Sequence, residues 1–167
     1  EHGAAGLTPA LARRSLREVV AERLVGSVEH TRNGFDRLAA VEAECGGLVR
    51  PAYSIALSRR KREEEAREVA AGVLAAVEAV YHATGHVLSQ RRALVIGCRG
   101  AIGSWLVRAL AGARAAAGVL GLDLQVGRPG RGEARRWREL PAARRRSVDL
   151  VIGVTGVSVL GPAEVEE

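Results

Sequence analysis

The sequence predicts an α/β fold, a parallel sheet whose strands alternate with helices. Three observations carry this. The apolar run Ala93 to Ile96 is followed by Gly97, Gly100 and Gly103, and then by Ile102, Leu106, Val107 and Leu110 at helical spacing. Leu122 to Val126 alternates as a second strand, and Val148 to Val154 is a third apolar run closed by Thr155-Gly156. Strands that alternate with helices bury both their faces and join by right-handed crossovers.

The first of these units has the context of a dinucleotide site. Its spacing, G-x-x-G-x-x-G, is one residue longer than the G-x-G-x-x-G fingerprint, and it lies between a strand and a helix. Glycines let backbone approach a pyrophosphate, and the helix N-terminus offers free N–H groups and a positive dipole end. The expected architecture is therefore a Rossmann-type parallel sheet with helices on both faces, preceded by a helical N-terminal segment. Gly97, Arg99, Gly100, Ala101, Ile102 and Gly103 are the candidate cofactor-binding residues, with NAD or NADP as the cofactor. The alternative is a tight βα turn that holds no ligand. In such folds an acid at the end of the second strand holds the adenosine ribose. The strand read here ends Val126-Gly127-Arg128 without one, and Asp123 falls inside it. Arg128 suits a 2′-phosphate equally well, so the choice between NAD and NADP stays open.

In chain order, residues 1–11 read as irregular. Leu11, Leu16, Val19, Val20, Leu24 and Val28 predict an amphipathic helix. Glu29 to Gly34 reads as a polar turn, and Phe35 to Glu42 as a helix ended by Gly46-Gly47. Leu48 to Leu57 reads as extended, with Pro51 near its start. A long helix follows from Ser58, a candidate N-cap, to about Thr84, with Gly85 at its C-terminal end. Its stretch Val69 to Tyr81 is apolar nearly all round, which predicts burial on most sides. Gly118 to Gly121 is read as the break after the glycine-motif helix.

Composition narrows the function classes. Of the 167 residues 47% are hydrophobic but only 3% aromatic, so Ala, Val and Leu must fill the core. No apolar run is long enough to span a membrane, and no secretory signal is recognisable. Cys45 and Cys98 form no disulfide framework, which points to a reducing, cytoplasmic setting. Cys98 reads as a small turn residue. His2, His30, His82 and His86 form no metal cluster, so no metal is expected. The chain starts at Glu1 and contains no methionine, which suggests a processed chain or a fragment. The formal charge is +6, and all of it resides between Arg128 and Arg146, where eight arginines face Glu133 and Glu139. A nucleic-acid partner is one reading of that segment. Because arginine is this chain's general cation, a solvated surface is favoured over it.

Four segments, in order, resemble the S-adenosylhomocysteine hydrolase (adenosylhomocysteinase) family. The family's E-E-T-T-T-G is similar to Glu29-His-Thr-Arg-Asn-Gly34. Its V-P-x-x-x-V-N-D-S-x-x-K-x-x-x-D-N resembles Arg50 to Ala66, with Pro51, Ser58, Lys61 and Glu65 in matching places. The glycine motif is one residue longer here, and A-D-x-x-x-x-x-T-G-N resembles Val148 to Val157. The resemblance spans roughly residues 26–160. It implies a tightly bound NAD that oxidises the 3′-hydroxyl of a substrate ribose. It further implies Lys61 and Glu65 as catalytic residues, His30 and Thr31 near substrate, and Thr31, Asn33, Thr155 and Gly156 near the cofactor. Lys61 is the only lysine in the chain. An i, i+4 pair shares one helix face, and a lysine serves as a base only when burial or a nearby cation lowers its pKa. The sequence departs from the family at His30, Arg32, Asn33, Ala66 and Val157, and no D-G-G-D precedes these motifs. The family's strand between the second and the Val148 strand is missing or shortened.

The resulting expectation is three segments: 1–62 on the substrate side, 63–90 as a connecting helix, and 91–167 as a partial Rossmann domain. Function is expected to be NAD(P)-dependent oxidoreductase-type chemistry, as in an adenosylhomocysteinase-like hydrolase, on a nucleoside or related hydroxyl substrate. A non-catalytic NAD(P) sensor or accessory module is the competing class, and a basic nucleic-acid-binding protein the third. The expected partners are a dinucleotide and a small-molecule substrate, with a homo-oligomer implied by the resemblance and no membrane.

Overall fold

The computed structural model describes residues 14–112, 116–124, 130 and 132–165. The chain forms two compact units that part after Ser58. The long helix thus groups with the glycine-motif sheet rather than standing as a separate connector.

The first unit begins with α1 (Leu16–Arg23). The helix predicted from Leu11 to Val28 is shorter because local signals stop it. Ser15 and Glu18 form a capping box at its start, and Val28 belongs to a strand. That strand, β1 (Ser27–Glu29), pairs in parallel with β2 (Ala52–Ser54) through the crossover helix α2 (Arg32–Cys45). The polar stretch read as a turn therefore joins the end of β1 to the start of α2: Thr31 is the helix N-cap and Gly34 lies in its first turn. Gly46 ends it at a φ of 71°.

The second unit opens with a π-helical turn, Lys61–Glu65, that runs directly into α3 (Ala66–Ala83). Gly85, at φ 74°, and the His86 N–H bond to the Tyr81 carbonyl (2.8 Å) close the helix. A four-stranded parallel sheet follows. It comprises β3 (Arg92–Ile96), β4 (Gly118–Leu122), β5 (Glu133–Ala134) and β6 (Leu150–Gly153), in the order β5-β4-β3-β6. Helix α4 (Ala101–Ala111) links β3 to β4. Short helices α5 (Ala142–Arg145) and α6 (Pro162–Val165) flank β6. The architecture is the α/β, Rossmann-type parallel sheet that the alternation predicted.

Strand β3 is central, and Ala93, Leu94 and Val95 are wholly buried. Side chains alternate across a strand, so each strand feeds two cores. Ala93 and Val95 meet Ala70 of α3 and Leu106 and Leu110 of α4. Leu94 and Ile96 meet Leu120, Leu122, Ala134, Trp137 and Leu140. The second face is covered by a single 3-10 turn, Trp137–Glu139, and the segments around it. Each buried leucine contributes about 1.5–3 kcal/mol.

Two expectations are corrected. The second strand is Gly118–Leu122 rather than Leu122 to Val126. Its glycines are not helix breakers but make room: a Cβ on Gly121 would lie 2.7 Å from the Cys98 Sγ. Helix α3 is not buried on most sides. Only Ala66 and Ala70 are buried, and Val80 is 64% exposed. Val73, Leu74, Val77 and Tyr81 are half-buried against the core, whereas Val69 and Val80 face outward.

Candidate functional site

The site is built at the end of β3. Gly97 adopts φ 88°, a region that costs an L-residue about 1–2 kcal/mol. The N–H groups of Gly97 and Cys98 donate to the Leu122 carbonyl at 2.7 and 3.3 Å, which ties the turn to β4. Gly100 is the N-cap of α4 and supplies no capping side chain. A Cβ on Gly103 would sit 1.9 Å from the Gly97 oxygen, so the first turn of the helix is pressed onto the glycine turn. The backbone N–H groups of the first helical turn and the positive end of the helix dipole are presented there, and the N-cap itself offers them no side chain.

The strand order places the direction reversal between β3 and β6. From β3 the chain runs outward through β4 and β5, then crosses back to the other side. In open α/β sheets the crevice beyond the strand ends at this reversal is where ligands bind. A cleft of about 420 Å³ lies there, lined by Ile96, Gly153, Thr155, Gly156, Val157 and Ser158 among others. Thr155 and the glycine turn meet: the Thr155 Cγ2 is 2.9 Å from where a Gly97 Cβ would be. The Thr155 hydroxyl donates to the Val157 carbonyl (2.7 Å), which shapes the loop.

At the far side of the turn stands Asp123. With β4 ending at Leu122, Asp123 is the first residue beyond the strand and not within it. Its Oδ2 accepts the Arg99 backbone N–H at 2.9 Å. This corrects the expectation that the strand end lacks an acid. A signal for it existed: Asp123 lies twenty residues after Gly103, the interval usual for the ribose-binding acid. Reading the two glycines as breakers concealed it.

Glu133 on β5 is a second residue that sequence reasoning missed. Its carboxylate accepts the Arg99 guanidinium through Nε at 3.2 Å and through Nη2, and accepts the Gly130 N–H at 2.8 Å. The Arg99 bond is the main reason its carboxyl is held below the usual carboxylate range. Cys98, buried at the same place, has its thiol pushed up to about 11, first by burial and then by the charges of Glu133 and Asp123. A thiol so raised is a packing group rather than a nucleophile.

Lys61 and Glu65 are hydrogen-bonded at 2.6 Å, across the π-turn in which the Ala66 N–H reaches the Lys61 carbonyl. Two neighbouring pairs repeat the spacing, Arg59–Glu63 at 2.9 Å and Arg60–Glu64 at 3.1 Å. The Lys61 side chain differs from theirs in being only 21% exposed, against 85% and 86% for the two arginines. The residues that line the cleft include neither Lys61 nor Glu65.

In the first unit, Thr31 is committed to its helix. Its hydroxyl donates to Glu29 Oε1 at 2.8 Å and accepts the Gly34 N–H at 2.9 Å. His30 and Asn33 are exposed. Arg128 lies outside the described residues. Among the described residues no group of His, Cys, Asp or Glu is placed to hold a metal ion, and no helix is long and apolar enough to cross a membrane. No protein-family model matches this sequence, and no curated protein matches it.

Proposed function

We propose that the unit beginning at Arg59 binds NAD, with the pyrophosphate at the N-terminus of α4 and the adenosine ribose at Asp123. The observation that carries this reading is a coincidence of three features at one sheet edge. The strand-order reversal opens a cleft, the glycine turn lies against Thr155 of its lining, and an acid stands just past the neighbouring strand. The glycine turn suits a pyrophosphate because Gly97 takes the positive φ of the turn and Gly103 lets the first turn of α4 press onto it, which brings backbone N–H groups together at the helix N-terminus. The acid favours NAD over NADP. A carboxylate accepts the two ribose hydroxyls and repels a 2′-phosphate.

When bound, NAD supplies a hydride acceptor. An adenosylhomocysteinase-like role for this chain, with a nucleoside as substrate, draws support from Lys61. It is the chain's one lysine, it is the covered member of three like-spaced ion pairs, and Glu65 holds its ammonium. In that reading Glu65 orients Lys61 and Lys61 handles the proton of the substrate hydroxyl. The competing reading is a cofactor sensor without turnover.

A thermal melt with NAD, NADP, adenosine or buffer tests the proposal. A ligand at a hundred times its Kd stabilises the folded state by about 2.7 kcal/mol, which raises the midpoint by several degrees. A larger rise with NAD than with NADP is the expected result, and no rise with either cofactor overturns the reading. Loss of turnover on nucleosides in Lys61→Met, with the NAD shift intact, separates the enzyme from the sensor.

A further inference from the structure

The two chemistries that distinguish NAD from NADP stand on adjacent groups of this turn. A carboxylate at the second strand's end receives ribose hydroxyls, and an arginine nearby receives a 2′-phosphate. Asp123 is the carboxylate. Arg99 is the arginine, and its own backbone N–H is bonded to Asp123 (2.9 Å), which places it beside the acid. Yet its guanidinium is engaged. Both Nε, at 3.2 Å, and Nη2 donate to the Glu133 carboxylate.

Glu133 is itself fixed. It lies opposite Gly121 in the β4–β5 ladder, and its Oε2 accepts the Gly130 N–H at 2.8 Å. Its side chain is 22% exposed, and that of Arg99 is 50% exposed. The covered partner of the pair is thus the acid, anchored by a strand and a backbone bond, while the arginine is the more exposed partner, at the end of a long side chain. A fork of N–H donors serves a carboxylate or a phosphate with the same geometry, so the two compete for it.

We propose that Glu133 sets the cofactor preference by holding the Arg99 guanidinium away from the 2′ position, so that this chain selects NAD over NADP. The inference rests on the reading that the glycine turn binds a dinucleotide. Glu133 acts here as a positioning residue, through Arg99.

The test is the ratio of NADP to NAD dissociation constants for the full chain, measured by calorimetry on the wild type and variants. Glu133→Gln keeps an acceptor for Gly130 but loses the charge that retains Arg99. NADP binding strengthens about tenfold relative to NAD, the worth of one charge-assisted hydrogen bond. Adding Arg99→Ala to that variant abolishes the gain, which separates release of the arginine from simple removal of a negative charge. Arg99→Ala alone changes the ratio less than twofold, because the wild-type guanidinium is already occupied. This variant also serves if Glu133→Gln does not fold. An unchanged ratio in Glu133→Gln, or a tenfold loss of NADP binding in Arg99→Ala alone, overturns the inference while leaving NAD binding standing. A wild type that binds neither cofactor removes the dinucleotide reading itself, and this inference with it.

Discussion

The chain contains two strand–helix–strand units of the same parallel kind, and they treat the start of their crossover helices in opposite ways. In the first, β1–α2–β2, the strands are three residues long and no residue of α2 is buried. In the second, β3–α4–β4, the strands are five residues long and β3 is the centre of the core. Each helix has a glycine three residues after its N-cap, Gly34 after Thr31 and Gly103 after Gly100. At Gly34 the space a Cβ would take is filled by the chain's own Glu29 carboxylate, with Cδ at 2.1 Å. At Gly103 that space is filled by the carbonyl of the glycine turn, at 1.9 Å. The lesson is about anions. Helix α2 has its N-terminal charge supplied internally by Glu29 and its cap by Thr31. Helix α4 has a glycine cap with no capping side chain, and the Asp123 carboxylate reaches only the N–H of Arg99, one residue before that cap. A helix whose first turn carries its own carboxylate repels a phosphate, whereas one capped by bare backbone attracts it.

Alanine at the two glycines is the strongest way to break the comparison. Gly103→Ala drives a Cβ into backbone that cannot swing aside, and costs the second unit about 3 kcal/mol or more. Gly34→Ala pushes aside the end of a glutamate side chain and weakens its bonds to Thr31, and alanine's helix propensity offsets about 1 kcal/mol of that loss. Its net effect is therefore within about 1 kcal/mol. Both tryptophans, Trp105 and Trp137, lie in the second unit, so urea unfolding followed by tryptophan fluorescence reads that unit alone. Hydrogen exchange of α2 amides reads the first. Equal losses from the two variants would refute the contrast.

Asp123→Asn gives the next largest effect. The amide oxygen still accepts the Arg99 N–H, so the turn holds. Two charged hydrogen bonds to ribose weaken, and NAD affinity falls about tenfold in calorimetry. Unchanged affinity would mean that the ribose lies elsewhere.

The smallest effect is a pH dependence confined to the first unit. The Thr31 N–H and hydroxyl hold the Glu29 carboxyl below its ordinary value of 4.5. A carboxyl whose folded pKa is lowered stabilises the fold above the ordinary value, and that contribution is lost as pH falls through the lowered one. Exchange of α2 amides therefore speeds as pH drops below about 4.5, beyond the intrinsic trend, and Glu29→Gln removes that dependence.

Much of this was legible in the residues themselves. Gly46 and Gly85 mark helix ends through local φ, so those ends are where they were read, whereas the Ser15–Glu18 capping box was overlooked. Ala93 to Ile96 is apolar throughout because both faces of a central strand are covered, and the glycine turn follows from its spacing. Asp123 and Glu133 were not legible in the same way. Gly118 and Gly121 look like breakers in isolation, and only the neighbouring Arg92 and Cys98 side chains explain glycine within a strand. β5, only two residues long, carries no periodicity at all, and pairing with β4 alone makes it a strand.

By itself, then, the sequence determined the alternation of strands and helices and the place of the glycine turn. Those depend on contacts within a few residues. The tertiary structure decided which strands are neighbours, where the cleft opens, and that Glu133 meets Arg99 from 34 positions away. Such pairings follow from sheet order and register, which arise when distant segments bury their apolar faces together, and no local pattern encodes them.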